Sequence, residues 1–147
     1  MALAYLVPIL QLSIGPLIVV SGIGLILLSM TNRFGRVLDR SRQLLRELRD
    51  PSGADGARIH EQLAILSKRA RLIRGGIACC VLSILLASVL VISIFLGDLL
   101  NLDIGVEVAG LFILCMLSLI AALVLFLSDI NLSLHAFWLE LETATRS

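Results

Sequence analysis

Arg33, Arg36 and Arg40 stand at steps of three and four, which places three guanidinium groups on one face of a helix. Lys68, Arg69, Arg71 and Arg74 form a second basic cluster further along the chain. Two such clusters suit anionic lipid head groups, since a basic residue near a negatively charged leaflet contributes about 1 kcal/mol. The same residues also act as topology determinants, which polytopic membrane proteins need in any case. Asp98, Asp103 and Glu107 form an acidic counterpart in a stretch without Lys or Arg. They would ring the outer mouth of a pore if several copies assembled around an axis, and otherwise belong to an acidic loop that satisfies topology.

Catalytic chemistry has little to work with. His60 and His135 lie far apart, and neither has a Cys or His at metal-ligand spacing. Ser83, Ser88, Ser93 and Ser118 lack a nearby His and carboxylate, and no Gly-rich phosphate loop follows a strand. Cys79, Cys80 and Cys115 fall inside apolar segments and read as small packing residues. The basic stretch lacks the aromatic interleaving of a nucleic-acid surface. No enzymatic activity, metal, cofactor or nucleic-acid partner is expected.

These residues sit in a chain of 147 that is 59% hydrophobic with a mean hydropathy of +1.02, well above the roughly 45–50% apolar content of soluble domains. Eleven of its twelve Lys and Arg residues lie between Arg33 and Arg74. Over residues 31–74 those eleven face five acidic groups, a local excess of six positive charges that the formal net charge of +1 conceals. A signal peptide would carry a basic n-region, and no Lys or Arg precedes Arg33.

A membrane-spanning helix needs about 20 apolar residues, and three segments qualify: 15–30, 75–96 and 106–128. Residues 1–14 form an apolar preface broken by Pro8, and Gly15-Pro16 follows. Pro16 suits the first turn of a helix, so the preface is either a separate interfacial helix or part of one long helix kinked at Pro16. Residues 97–105 make a short acidic connection, which requires the last two spans to be antiparallel neighbours. The positive-inside rule places the basic 31–74 segment in the cytoplasm and the acidic connection outside. The N-terminus is then outside and the C-terminus inside.

Within the basic segment, Phe34, Val37, Ser41, Leu44 and Leu48 recur at steps of three and four. After the turn residues Asp50-Pro51-Ser52-Gly53-Ala54-Asp55-Gly56 the pattern returns as Ile59, Leu63, Leu66, Ala70, Ile73 and Ile77. A period near 3.5 with one break predicts an antiparallel helical hairpin of coiled-coil type between the first two spans. Asp39, between Arg36 and Arg42, is placed for local ion pairs. Residues 129–147 predict an amphipathic helix with Ile130, Leu134, Phe137, Trp138 and Leu141 on one stripe. Small residues form two further stripes: Gly76, Cys80, Ser83 and Ala87 along the second span, and Gly15, Gly22 and Ser29 along the first. Small stripes let helices approach closely, and some of these contacts are expected between subunits.

The run Asn32-Arg33-Phe34-Gly35-Arg36-Val37-Leu38-Asp39-Arg40 at a membrane exit, together with Arg69-Ala70-Arg71-Leu72-Ile73-Arg74, resembles the signature of a bacterial membrane-protein family known as domain of unknown function 2721. The order of spans matches as well. The resemblance implies a bacterial inner-membrane protein and supplies no activity or catalytic residue. The expectation is therefore an all-α integral membrane protein with three transmembrane helices and a cytoplasmic antiparallel hairpin. Its partners would be the lipid bilayer, anionic lipids, other copies of itself and, if it conducts, ions. Two functions fit. One is a homo-oligomer able to enclose an ion-conducting pore, the other a non-conducting adaptor or accessory subunit whose hairpin binds a partner protein or anionic lipid.

Overall fold

The computed structural model describes the backbone of residues 2–49, 56–101 and 103–145, and the side chains of residues 7–8, 10–11, 13–49, 56–101 and 103–134. Three α-helices account for nearly all of this: α1 (Ala2–Arg49), α2 (Gly56–Leu100) and α3 (Gly105–Thr145). Each contains a stretch long and apolar enough to cross a membrane, within Ser13–Arg49, Gly56–Leu100 and Gly105–Leu134. Hydrocarbon offers no water to backbone N–H and C=O groups, so a segment must satisfy them internally, as a helix does. The chain is an all-helical membrane protein.

Residues 2–14 are helical and continuous with the first span, so of the two alternatives for the preface the structure takes the single long helix. Pro8 and Pro16 both lie inside α1. Each removes a backbone donor and crowds the carbonyl four residues earlier, which apolar helices tolerate better than soluble ones. At its other end the second span runs further than expected. Helix α2 extends through Gly97, Asp98, Leu99 and Leu100, so most of the acidic connection 97–105 belongs to a helix end. No residue there breaks a helix until Asn101, whose φ of 50° ends it in the left-handed region that Asn tolerates. The Asn101 N–H donates to the Asp98 carbonyl at 3.2 Å. Gly97 is buried, and a Cβ there would meet the side chain of Ile104.

The chain divides into two compact units. The first comprises Met1–Leu28 and Ala78–Ala122. Its core gathers Leu86, Ala87 and Cys115, with Val20, Leu111 and Met116 packed against them. Here the small stripe of α2 faces inward: Cys80, Ser83 and Ala87 are buried within the one chain. Close approach allows hydrogen bonds from helix to helix, with the Ser83 hydroxyl donating to the Cys115 carbonyl at 2.9 Å and Ser118 to the Cys79 carbonyl at 2.8 Å. Such bonds average about 0.6 kcal/mol in membranes, up to roughly 1.7. Large side chains such as Leu25, Ile92 and Val106 are exposed, as suits surfaces that meet lipid.

The second unit comprises Ser29–Ile77 and Leu123–Ser147. Every member of the two apolar series is buried or half-buried, with Val37, Leu44, Ile59 and Ile73 the most enclosed. Gly76 is buried as well, and a Cβ on Gly75 would sit 3.3 Å from Leu125. Of the expected turn, residues 50–55 lie outside the described residues, whereas Gly56 opens α2 with the Leu48 side chain 4.0 Å from its Cβ position. The amphipathic tail continues α3 without a break as far as Thr145. Ile130 is half-buried and Leu134 exposed, while the side chains of Phe137, Trp138 and Leu141 lie outside those described.

Candidate functional site

Inside the second unit, helices α1, α2 and α3 each bring one charged residue to the same point. Asp129 of α3 is fully buried, and its two carboxylate oxygens take different arginines. Arg69 Nε of α2 donates to Oδ1 at 3.1 Å, and Arg33 Nη1 of α1 approaches Oδ2 at 3.5 Å. The arginines keep partial access to solvent, 20% for Arg69 and 30% for Arg33, whereas Asp129 has none. A carboxylate removed from water needs such partners, because an isolated buried charge is very costly. The Arg33 guanidinium carbon also lies over the Phe126 ring, 5.1 Å from its centroid, within cation–π range.

Beside this clamp lies a cleft of about 380 Å³. Arg33, Arg36, Arg40 and Arg69 line it together with Ser133, and Val37 and Leu66 supply its apolar lining. Arg36 and Arg40 are exposed and, among the described residues, have no ion-pair partner within 4 Å. The clamp uses one nitrogen of each of its arginines, Nη1 of Arg33 and Nε of Arg69. A guanidinium carries five N–H donors in a fixed fork, so most of the donor capacity in the cleft is uncommitted. Among the described residues, four positive charges against the one of Asp129 leave an excess of three. Chemically the arrangement suits an anion, with forks that match phosphate or carboxylate oxygens.

The structure brings four of the seven basic candidates into one place. Lys68, Arg71 and Arg74 are exposed and do not line the cleft. Asp39 is exposed too, and among the described residues the ion pairs are those of Asp129, so the local pairs expected with Arg36 and Arg42 do not form. At the acidic connection, Asp98 is half-buried and its carbonyl accepts the Asn101 N–H, while Asp103 and Glu107 are exposed. Of the small stripes, Gly76, Cys80, Ser83 and Ala87 are buried inside the chain, whereas Gly22 and Ser29 are exposed. No atom lies within 4 Å of where a Gly22 Cβ would be.

Asp129 and Ser133 were not among the sequence candidates. Asp129 read only as the end of the third span. The available signal was its position: the first charge after the uncharged residues 108–128, at the end of a span where positive charge was expected. An acid there, in register with Arg33 and Arg69 at the matching ends of the other two spans, invites pairing.

The family model described as Protein of unknown function (DUF2721) matches residues 13–139. The chain belongs to that family. The match covers all three spans, both basic clusters and every residue of the cleft, so clamp and cleft lie within the stretch that defines the family. No curated protein and no solved structure matches the chain.

Proposed function

We propose that this is a non-catalytic accessory protein of the inner (plasma) membrane that binds anionic lipid through its basic segment. The N-terminus lies outside and the C-terminus in the cytoplasm, and the arms flanking residues 50–55 form an antiparallel helical hairpin at the inner leaflet. The observation that carries this reading is the convergence of Arg33, Arg36, Arg40 and Arg69 from two helices on one cleft. Like charges gathered this closely repel one another, and Asp129 offsets only part of that. An anionic lipid would offset more of it, and such lipids are enriched in the leaflet that the positive-inside rule assigns to this segment. The approach of the Leu48 side chain to within 4.0 Å of where a Gly56 Cβ would sit and the shared partner of Arg33 and Arg69 support the hairpin.

The test is the thermal unfolding of the purified full-length protein in a zwitterionic detergent. Added phosphatidylglycerol should raise the midpoint by several degrees, equal amounts of phosphatidylcholine should not, and the difference should shrink as salt screens the charges. An identical response to the two lipids overturns the reading.

A second reading is self-association. It is favoured by the stripe of Gly15, Gly22 and Ser29 on α1, which is exposed where the corresponding stripe of α2 is buried. A ring of such subunits would gather Asp98, Asp103 and Glu107 from each copy, and the ion-conducting form of this reading rests on that assembly.

A further inference from the structure

The cleft is more than a basic patch. We propose that it is a discrete site for one phosphate group, that of an anionic phospholipid, held by Arg36 and Arg40 and by the uncommitted N–H groups of Arg33 and Arg69. This rests on the reading that anionic lipid is bound, and adds where, by which residues and through which chemical group.

Three observations carry it. First, the arginines are not equivalent. Arg33 and Arg69 are fixed by Asp129, and Arg33 additionally by Phe126, so two guanidinium groups stand in place before any ligand arrives. A ligand then meets donors whose ordering cost has largely been met during folding, which is how preorganisation raises affinity. Arg36 and Arg40, exposed and one helical turn apart, supply the mobile half of the grip.

Second, the chemistry suits a phosphate. Among the described residues, an excess of three positive charges around one cleft favours an anion. Guanidinium forks pair with phosphate oxygens two bonds at a time, and Ser133 also lines the cleft. Third, the size fits a phosphate with something attached. About 380 Å³ would hold roughly a dozen waters at about 30 Å³ each, far more than a bare phosphate needs, and it falls within the roughly 300–1,000 Å³ of small-molecule sites. Val37 and Leu66 offer apolar surface to the attached portion. The site also lies where a head group would be found, since Arg33, Arg69 and Asp129 all follow or precede the apolar spans by a few residues.

The experiment uses the full-length protein in zwitterionic detergent, with two probes and two double variants. Arg36→Gln/Arg40→Gln removes cleft donors, while Arg71→Gln/Arg74→Gln removes the same charge outside the cleft. All four positions are exposed and Gln is a good helix former, so both variants should fold. The probes are phosphatidylglycerol, with bound lipid counted by native mass spectrometry, and inorganic phosphate, followed by its effect on the unfolding midpoint. The cleft variant should bind phosphatidylglycerol roughly thirtyfold more weakly, the factor that about 2 kcal/mol represents at 1.4 kcal/mol per tenfold. The outer variant should change affinity by no more than a few-fold.

If phosphatidylglycerol binds and both variants weaken it equally, the cleft is not the site, although lipid binding itself stands. If inorganic phosphate stabilises the wild type but not the cleft variant while the lipid does nothing, the cleft takes a free phosphate and the lipid assignment falls. If neither probe affects the wild type, both the site and the broader reading are overturned.

Discussion

At the scale of single residues, the balance of the molecule turns on how one carboxylate is shared. Asp129 has no access to water, and the Arg69 contact at 3.1 Å is closer than the Arg33 contact at 3.5 Å. Removing one partner of a buried pair strands the other, at a cost of about 3–5 kcal/mol when both are fully buried. The arginines here are partly exposed, so a lower figure applies. Arg69→Met should destabilise by roughly 2 kcal/mol and Arg33→Met by less, because Arg33 is the more distant and the better hydrated partner. Replacing all three members, as Arg33→Met, Arg69→Met and Asp129→Leu together, should recover most of the loss, since an apolar trio leaves no charge stranded. Thermal unfolding in detergent measures the series; a triple variant weaker than Arg69→Met alone would contradict it. The arginines were legible in the sequence because their spacing is local. Asp129 was not: its pairing spans 60 and 96 positions, and no periodicity encodes a contact that only tertiary packing creates.

At the scale of helices, periodicity was the most informative signal. The two series from Phe34 to Leu48 and from Ile59 to Ile77 mark the inward face of both arms residue by residue, because burial in a helix must repeat every three or four positions. Helix ends were less legible. The connection 97–105 is acidic yet mostly helical, since Asp98 disfavours a helix only weakly and the turn waits for Asn101. The small stripes looked alike in sequence and proved different. Ser83 and Ala87 meet α3 within the chain, while Gly22 meets nothing within 4 Å. Spacing predicts that a stripe packs closely but not against what. If the α1 stripe meets a second copy, Gly22→Leu should lower the mass of the detergent-solubilised protein toward that of a monomer without lowering its unfolding midpoint. Light scattering reports the mass, and a wild type already monomeric would remove the self-association reading.

At the scale of the whole molecule, one asymmetry governs how the chain meets the membrane. Eleven of twelve basic residues lie between Arg33 and Arg74, and the Asp98–Glu107 stretch has none. Carrying guanidinium groups through hydrocarbon costs about 2.5–3.5 kcal/mol each even on the most lenient scale, which supports the proposed orientation, with the basic segment on the side of synthesis and the acidic connection across the membrane. A single cysteine at Gly53 should therefore resist a membrane-impermeant maleimide applied to intact cells and react once the cells are opened, whereas one at Asp103 should react from outside. The native thiols give little background: Cys80 and Cys115 are buried, Cys79 is half-buried, and all three sit in apolar helix where a charged reagent does not go. Labelling at Gly53 from outside would place the basic segment on the wrong face of the membrane. The arginine cleft would then face a leaflet poor in the anionic lipid that it is proposed to hold.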